Sequence, residues 1–173
     1  MDPNSIALVG MMGTGKSAVG RALAERLGWR FVDLDSAIEQ ASNRSVATVF
    51  REVGEPVFRK LEADTLAALS HDHARTVLAP GGGVIETPTN RELLKSAWFS
   101  IWLDAHVETL VRRLRADMTE RPLLQSLAPD VGKQRLHMLY ERRVAWYREV
   151  SRYSIQVDDL SIPEVIGRIV TLI

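Results

Sequence analysis

A chain of 173 residues, 46% hydrophobic and 25% charged, is sized for one domain with a substantial core. Lys plus Arg and Asp plus Glu each number 22, so no overall field points to nucleic acid or a membrane surface. The absence of cysteine excludes a disulfide framework and a thiolate metal site and agrees with a reducing, cytoplasmic setting; neither a secretory signal nor a membrane span of roughly 18 apolar residues is expected.

The run Ser5–Val9 reads as a short buried strand and leads directly into Gly10-Met-Met-Gly-Thr-Gly-Lys-Ser17. That octet fits G-x-x-x-x-G-K-[ST], a phosphate-binding loop. Its glycines let the backbone curl until successive N–H groups face inward, a concave seat for phosphate oxygens. In such a loop Lys16 reaches the terminal phosphates and the Ser17 hydroxyl serves Mg²⁺. Ala18, Val19, Ala22, Leu23 and Leu27 then recur at helical spacing up to Gly28, which puts the loop at a helix N-terminus whose dipole favours anions. Arg30–Asp35 reads as a second strand, with Asp33 and Asp35 on one face and their Cα atoms about 6.5–7 Å apart. Beside a bound triphosphate, one carboxylate suits the metal's water shell and the other a hydroxyl nucleophile. Away from such a loop, aspartates at a strand end are turn residues or caps.

Ser36 and Glu39 are spaced as a capping box for a helix through Ala41, and Ser45 caps Val46–Val53, which Gly54 closes. Glu55 and Pro56 start a longer helix with Phe58, Leu61, Leu66 and Leu69 on its apolar face. Arg59 and Glu62 lie three apart on it, a spacing that by itself predicts only an exposed pair. Thr76–Ala79 is a third strand running into Pro80-Gly-Gly-Gly83, where the glycines permit either close backbone approach to a ligand or a flexible turn. Thr89 or Asn90 caps a short helix over 91–96, and Trp98–Leu103 is a fourth strand ending at Asp104, its tryptophans read as packing. The next helix buries Val107, Leu110, Val111 and Leu114 and turns Arg112, Arg113 and Arg115 outward.

Apolar periodicity lapses between Ala116 and Pro129 around Arg121-Pro-Leu-Leu124. Loops of this kind in phosphotransferases close over the reaction, and Arg121 is placed to bring a cation to the transferring group. A helix over about 133–152 carries Arg135, Arg142, Arg143, Arg148 and Arg152, most of them read as solvated. Ser154–Val157 is a fifth strand, and Ser161 caps the final helix. His71, His73, His106 and His137 have no metal-site spacing and read as surface residues. Strands alternating with helices predict a three-layer α/β architecture, a parallel sheet covered on both faces with its ligand site at the carboxyl ends of the strands.

Taken in order, Gly10–Ser17, Phe31–Asp35 with Ile38 and Glu39, Gly54-Glu55, Phe58-Arg59 with Glu62, Gly81-Gly-Gly83, Arg121–Leu124 and Arg143 with Tyr147 resemble the shikimate kinase family through nearly the whole chain. The resemblance implies a single P-loop kinase domain over 1–173, of adenylate-kinase-like type. Its five-stranded parallel sheet would have the order 2-3-1-4-5, with substrate-binding helices at about 36–66 and a mobile lid at about 116–129. It also implies transfer of the ATP γ-phosphate to the 3-hydroxyl of shikimate, with Mg²⁺ as cofactor, by a monomeric cytoplasmic enzyme. By position, Lys16, Asp35 and Arg121 match catalytic residues. Gly13, Thr14, Gly15, Lys16, Ser17, Ala18, Arg113 and Arg121 match ATP contacts. Asp35, Arg59, Gly81, Gly82, Gly83 and Arg143 match shikimate contacts, and Ser17 and Asp33 lie on the metal side, with Glu62 holding Arg59. Two guanidinium forks suit the single carboxylate of shikimate, each charge-assisted bond contributing about 1.5–3 kcal/mol.

The sequence departs from the family pattern in places: Asn43 stands where glycine is common, Pro80 precedes the triple glycine, Ser151 replaces an expected alanine, and the run from Arg113 to Arg121 is one residue longer. The alternatives are gluconate kinase, a neighbouring sugar-acid kinase, and a nucleotide-binding homologue without catalysis. A GTPase-type switch would carry D-x-x-G and N-K-x-D, and neither occurs.

Overall fold

The structure is a computed structural model that describes residues 4–72, 74–116 and 129–173. Strands β1 (Ser5–Val9), β2 (Arg30–Asp33), β3 (Thr76–Ala79), β4 (Phe99–Asp104) and β5 (Tyr153–Gln156) form one parallel sheet in the order β2-β3-β1-β4-β5. This is the order the family resemblance implies. Ile6, Ala7, Leu8, Val77 and Leu78 on the inner strands are fully buried, as near-continuous apolar strands covered on both faces must be. Each fully buried Leu or Ile of this kind contributes about 1.5–3 kcal/mol relative to leaving it in water.

Parallel strands need long crossovers, and helices supply them. Helix α1 (Lys16–Leu27) packs on β2 and β3 through Val19, Leu23 and Ala24, and Gly28 closes it by donating to the carbonyls of Ala24 and Glu25. Helices α2 (Leu34–Ser42), α3 (Val46–Val53) and α4 (Glu55–His71) pack on one another between β2 and β3. Helices α5 (Pro88–Ser96), α6 (Val107–Ala116), α7 (Pro129–Val150) and α8 (Ile162–Val170) complete the described chain. Register decides what sits beside what. Ser5 pairs with Thr76 and Ala7 with Leu78, so Val9 comes level with Pro80 and the loops that follow leave the sheet side by side.

Several boundaries differ from the sequence reading. The second strand stops at Asp33, because the Asp33 carboxylate accepts the Ser36 N–H and caps α2, which opens at Leu34. Asp35 therefore lies in the first turn of a helix, not on a strand face shared with Asp33. Ser36 and Glu39 form no capping box; Glu39 instead accepts the Val46 N–H at 2.8 Å and ties α2 to α3. Helix α5 begins at Pro88, and neither Thr89 nor Asn90 caps it. Asn90 is fully buried and donates to the Val84 carbonyl, fastening α5 to the turn after the glycine run. Helix α7 opens at Pro129, a residue suited to a first turn, and ends at Val150, because the Arg152 N–H already pairs with the Ser100 carbonyl. Asn43 has φ 52°, the left-handed conformation its position requires. Trp98 and Trp102 are core residues, as read.

At the outer edge of the sheet, Asp158 accepts hydrogen bonds from the His106 N–H at 3.0 Å and from Gln156. Burial works to raise its pKa, but donors on Thr109, Gln156 and His106 outweigh it and hold the carboxyl at about 2. A depressed folded-state pKa adds stability above the unfolded value of 3.8 that is lost as pH falls toward about 2. Asp158→Asn is accordingly expected to lower the melting temperature at pH 7 by several degrees. Its deficit should shrink as acid titration passes from about 3.8 to about 2, followed by circular dichroism.

Candidate active site

The loop between β1 and α1 has the left-handed turns its pattern demands, with φ 84° at Gly13 and 91° at Gly15. Thr14 and Lys16 are buried, and both donate to the Met11 carbonyl at 2.8 Å, Lys16 through Nζ. The ammonium thus lies folded across the mouth of the loop. Ser17 is exposed in the first turn of α1, and its hydroxyl donates to Asp33 Oδ2 at 2.8 Å. The next residue, Ala18, is exposed too. One carboxylate, Asp33, therefore caps α2 with one oxygen and meets the phosphate loop with the other.

Across β3, the glycine run forms a floor against which charged side chains crowd. A methyl group on Gly83 would lie 2.6 Å from Arg59 Nη2, so only glycine allows the guanidinium this close to the backbone. A methyl group on Gly81 would lie 3.2 Å from Asp35 Oδ1 and 3.7 Å from Glu62 Oε1. One on Gly82 would lie 3.4 Å from the Gly10 carbonyl, the Met12 N–H and the Tyr147 hydroxyl. The run leans directly on the phosphate loop. Tyr147, fully buried and stacked on Trp102 at 5.9 Å, donates its hydroxyl to the Gly82 carbonyl and strengthens that join. Burial pushes the Tyr147 phenol well above its ordinary range, so it stays a donor at any working pH.

Arg59 is not the exposed pair that spacing alone predicts. It donates to Glu62 at 2.9 Å and to Glu55 at 3.2 Å, and the Glu62 side chain is only 1% exposed. Burial works against the charged guanidinium, yet Glu62, Glu55 and Glu86 overcome it and raise the Arg59 pKa. For Glu62 burial dominates and lifts the carboxyl, with Arg59 pulling the other way. Arg143 also differs from its solvated neighbours on α7. It is buried, donates to Glu86 Oε1 through Nε at 2.8 Å, and brings Nη2 within 2.7 Å of the same oxygen as an ion pair. A cleft of about 330 Å³ beside these groups is lined by Glu55, Pro56, Arg59, Glu86, Thr87 and Arg142.

Arg113 is half-buried, unlike the exposed Arg112 and Arg115 with which it was read. It donates to the carbonyls of Val157 at 2.8 Å, Asp158 at 3.2 Å and Gly13 at 3.5 Å, lashing the phosphate loop to the chain after β5. Arg121 and the lid expected at about 116–129 lie outside the described residues, apart from the helix ends. The structure thus gathers Gly13–Ser17 with Asp33 on one side, and Asp35, Arg59, Gly81, Gly82, Gly83 and Arg143 on the other. Sequence reasoning missed Glu86. A lone glutamate three residues past a glycine run carries no signal, because the arginine it binds is 57 residues away.

Among the described residues no group of three or more His, Cys, Asp or Glu side chains is arranged to hold a metal. Mg²⁺ asks less of a protein, because it keeps several waters and takes one or two protein oxygens plus phosphate. The Ser17 hydroxyl and the Asp33 carboxylate, touching at the loop, are a donor set of that hard-oxygen kind.

A curled phosphate seat after the central strand of a parallel sheet, with an acidic and basic cleft one strand away, defines a P-loop kinase acting on a small molecule. A family profile described as shikimate kinase matches residues 12–173. The shikimate kinase of Synechococcus sp. (strain CC9605) is 49% identical over 139 residues, 80% of this chain and 68% of its own. That of Microcystis aeruginosa is 42% identical over 170 residues, covering 98% of this chain and 86% of its own. Among solved structures, shikimate kinase from Acinetobacter baumannii in complex with shikimate superposes with a TM-score of 0.88 at 38% identity, over 97% of this chain and 91% of its own. The chain belongs to the shikimate kinase family.

Proposed function

We propose that the chain transfers the γ-phosphate of ATP to the 3-hydroxyl of shikimate, giving ADP and shikimate 3-phosphate. The observation that carries this reading is the floor shared by the two halves of the site. Gly82 abuts Gly10 and Met12 of the phosphate loop, while its neighbours Gly81 and Gly83 abut Asp35 and Arg59. A phosphate donor seated on the loop and a carboxylated alcohol held by arginine are thereby neighbours, and proximity alone accounts for a large part of such a reaction.

Lys16 exchanges its bond to the Met11 carbonyl for the β- and γ-phosphates, and the backbone N–H groups of Gly13–Ala18 seat their oxygens. Ser17 and Asp33 are the residues that would hold Mg²⁺, which supplies charge neutralisation on the phosphates. Asp35 accepts a hydrogen bond from the acceptor hydroxyl and orients it. Arg59 and Arg143 grip the acceptor carboxylate, and the N–H groups of the glycine run serve its hydroxyls. Arg113 keeps a planar guanidinium face for the adenine side while its edge is held by Val157 and Asp158. Arg121 is assigned to the transferring phosphoryl group from its sequence position. The lack of cysteine agrees with work in the reducing cytoplasm.

Coupled measurement of ADP release tests the reading. Shikimate is expected to raise the ATP-dependent rate at least about a hundredfold above the background hydrolysis of the protein alone, a difference of roughly 3 kcal/mol in barrier. Gluconate should leave it near background. A rate indifferent to shikimate, or one stimulated more by gluconate, overturns the assignment.

A further inference from the structure

The Arg143 guanidinium is held in an uneven way. Glu86 Oε1 accepts from Nε at 2.8 Å and lies 2.7 Å from Nη2 in an ion pair, the Tyr147 hydroxyl lies against the same guanidinium, and Nη1 is buried without a hydrogen bond of its own among the described residues. The other Glu86 oxygen accepts from Arg142 Nη2 at 3.1 Å, so the carboxylate is fixed from both ends. Glu86 closes a single 3₁₀ turn, Val84–Glu86, that begins immediately after the glycine run, and its side chain is only 14% exposed. Asn90 and Arg91 bond the Val84 and Ile85 carbonyls, which keeps the turn from sliding. Tyr147, one helical turn on from Arg143, is pinned to Gly82. A guanidinium presents its donors in a rigid fork. Engaging its Nε edge fixes the plane of the group and leaves the Nη1 side for another partner.

We infer that Glu86 is a positioning residue for acceptor recognition: it clamps the Nε edge of Arg143 so that Nη1 is presented to the acceptor's carboxylate. The inference rests on the shikimate-phosphorylating reading above. A buried donor without a partner costs free energy in the resting protein, and an incoming carboxylate removes that cost. The opposite role, in which Glu86 occupies Arg143 and competes with the acceptor, would require the donor facing the acceptor to be the engaged one. The engaged atoms are Nε and Nη2, and the atom left over is Nη1. Arg142 contributes less. It is 60% exposed, and a pair of that exposure is weak in water.

The experiment compares wild type, Glu86→Gln, Arg143→Gln and the double variant in steady-state assays with shikimate and with ATP varied separately. Wild-type turnover with shikimate establishes the underlying reading first, so failure there is distinct from failure of this inference. Glu86→Gln is expected to raise the shikimate KM about tenfold, with kcat changed less than about threefold, the ATP KM unmoved and the melting temperature within a few degrees. In the Arg143→Gln background the same change should have little further effect on kcat/KM, because Glu86 acts through that arginine. Glu86→Asp, which keeps the charge but draws it back by one methylene, should give a smaller rise in the same constant and carries the test if the glutamine variant does not fold. A fall in shikimate KM overturns the inference in favour of competition. An unchanged KM, equal losses for both substrates, or additive effects in the double variant overturn it in favour of a merely structural pair.

Discussion

Lys16→Ala is expected to lower kcat by about a thousandfold or more, some 4 kcal/mol of transition-state stabilisation, as measured by coupled ADP release. The side chain lies buried at the loop and already reaches an oxygen, the Met11 carbonyl, at 2.8 Å. Its charge therefore needs only a short swing to meet a phosphate oxygen, with little solvent to rearrange. What alanine removes is a positive charge next to a developing negative one inside a low-dielectric pocket, where such a charge counts for more than in water. Binding of shikimate in the absence of nucleotide, measured by calorimetry, should fall far less than kcat, because the charge acts on the transferring phosphate. A kcat within tenfold of wild type would falsify the assignment of Lys16 to the transferring phosphate.

Arg59→Ala should act twice. On the acceptor side it removes up to two charge-assisted bonds of about 1.5–3 kcal/mol each, so the shikimate KM should rise on the order of a hundredfold. On the protein side it strips Glu62 of its cation. Glu62 is 1% exposed, and an acid left buried without its partner costs roughly 3–5 kcal/mol. The pH dependence has a definite sign. Burial already raises the Glu62 pKa above its ordinary value of 4.5, and losing Arg59 removes the influence that opposes it. A raised folded-state pKa destabilises the fold as pH climbs, because ionisation is then harder in the folded chain than in the unfolded one. The stability deficit of the variant should thus be largest at neutral pH and narrow as pH falls toward 4.5 in urea melts. Adding Glu62→Gln to Arg59→Ala should recover much of the stability and none of the shikimate affinity. Were both recovered together, Arg59 would be a structural residue only.

These two residues also mark how far sequence could go. The phosphate loop was fully legible, because its geometry is local: glycines at fixed offsets, a strand before and a helix after. The sheet order came through the resemblance rather than through any pattern of strands. Asp35 belongs to a helix and not to the strand that alternation suggests, since alternation along a strand and the start of a helix look alike until the Asp33 cap is seen. Arg59 and Glu62 needed burial, which no three-residue spacing reports. Helical spacing leaves Arg143 one of several arginines; the resemblance singles it out, and the fold shows that it is buried. Arg113 was misjudged for the same reason. Glu86 was invisible because its meaning is supplied wholly by residues far along the chain.

The closeness of Gly82 to Gly10 and Met12, where an added methyl group would already be in contact, limits how such a scaffold can diversify. Donor cradle and acceptor floor are welded into one wall, so neither can retreat to admit a bulkier alcohol without dislodging the other. Descendants of this architecture that take larger substrates must make room across the cavity, by shortening or splaying α2, α3 and α4. Selection experiments seeking new acceptors should find their productive changes in that helical layer and almost none in residues 81–83.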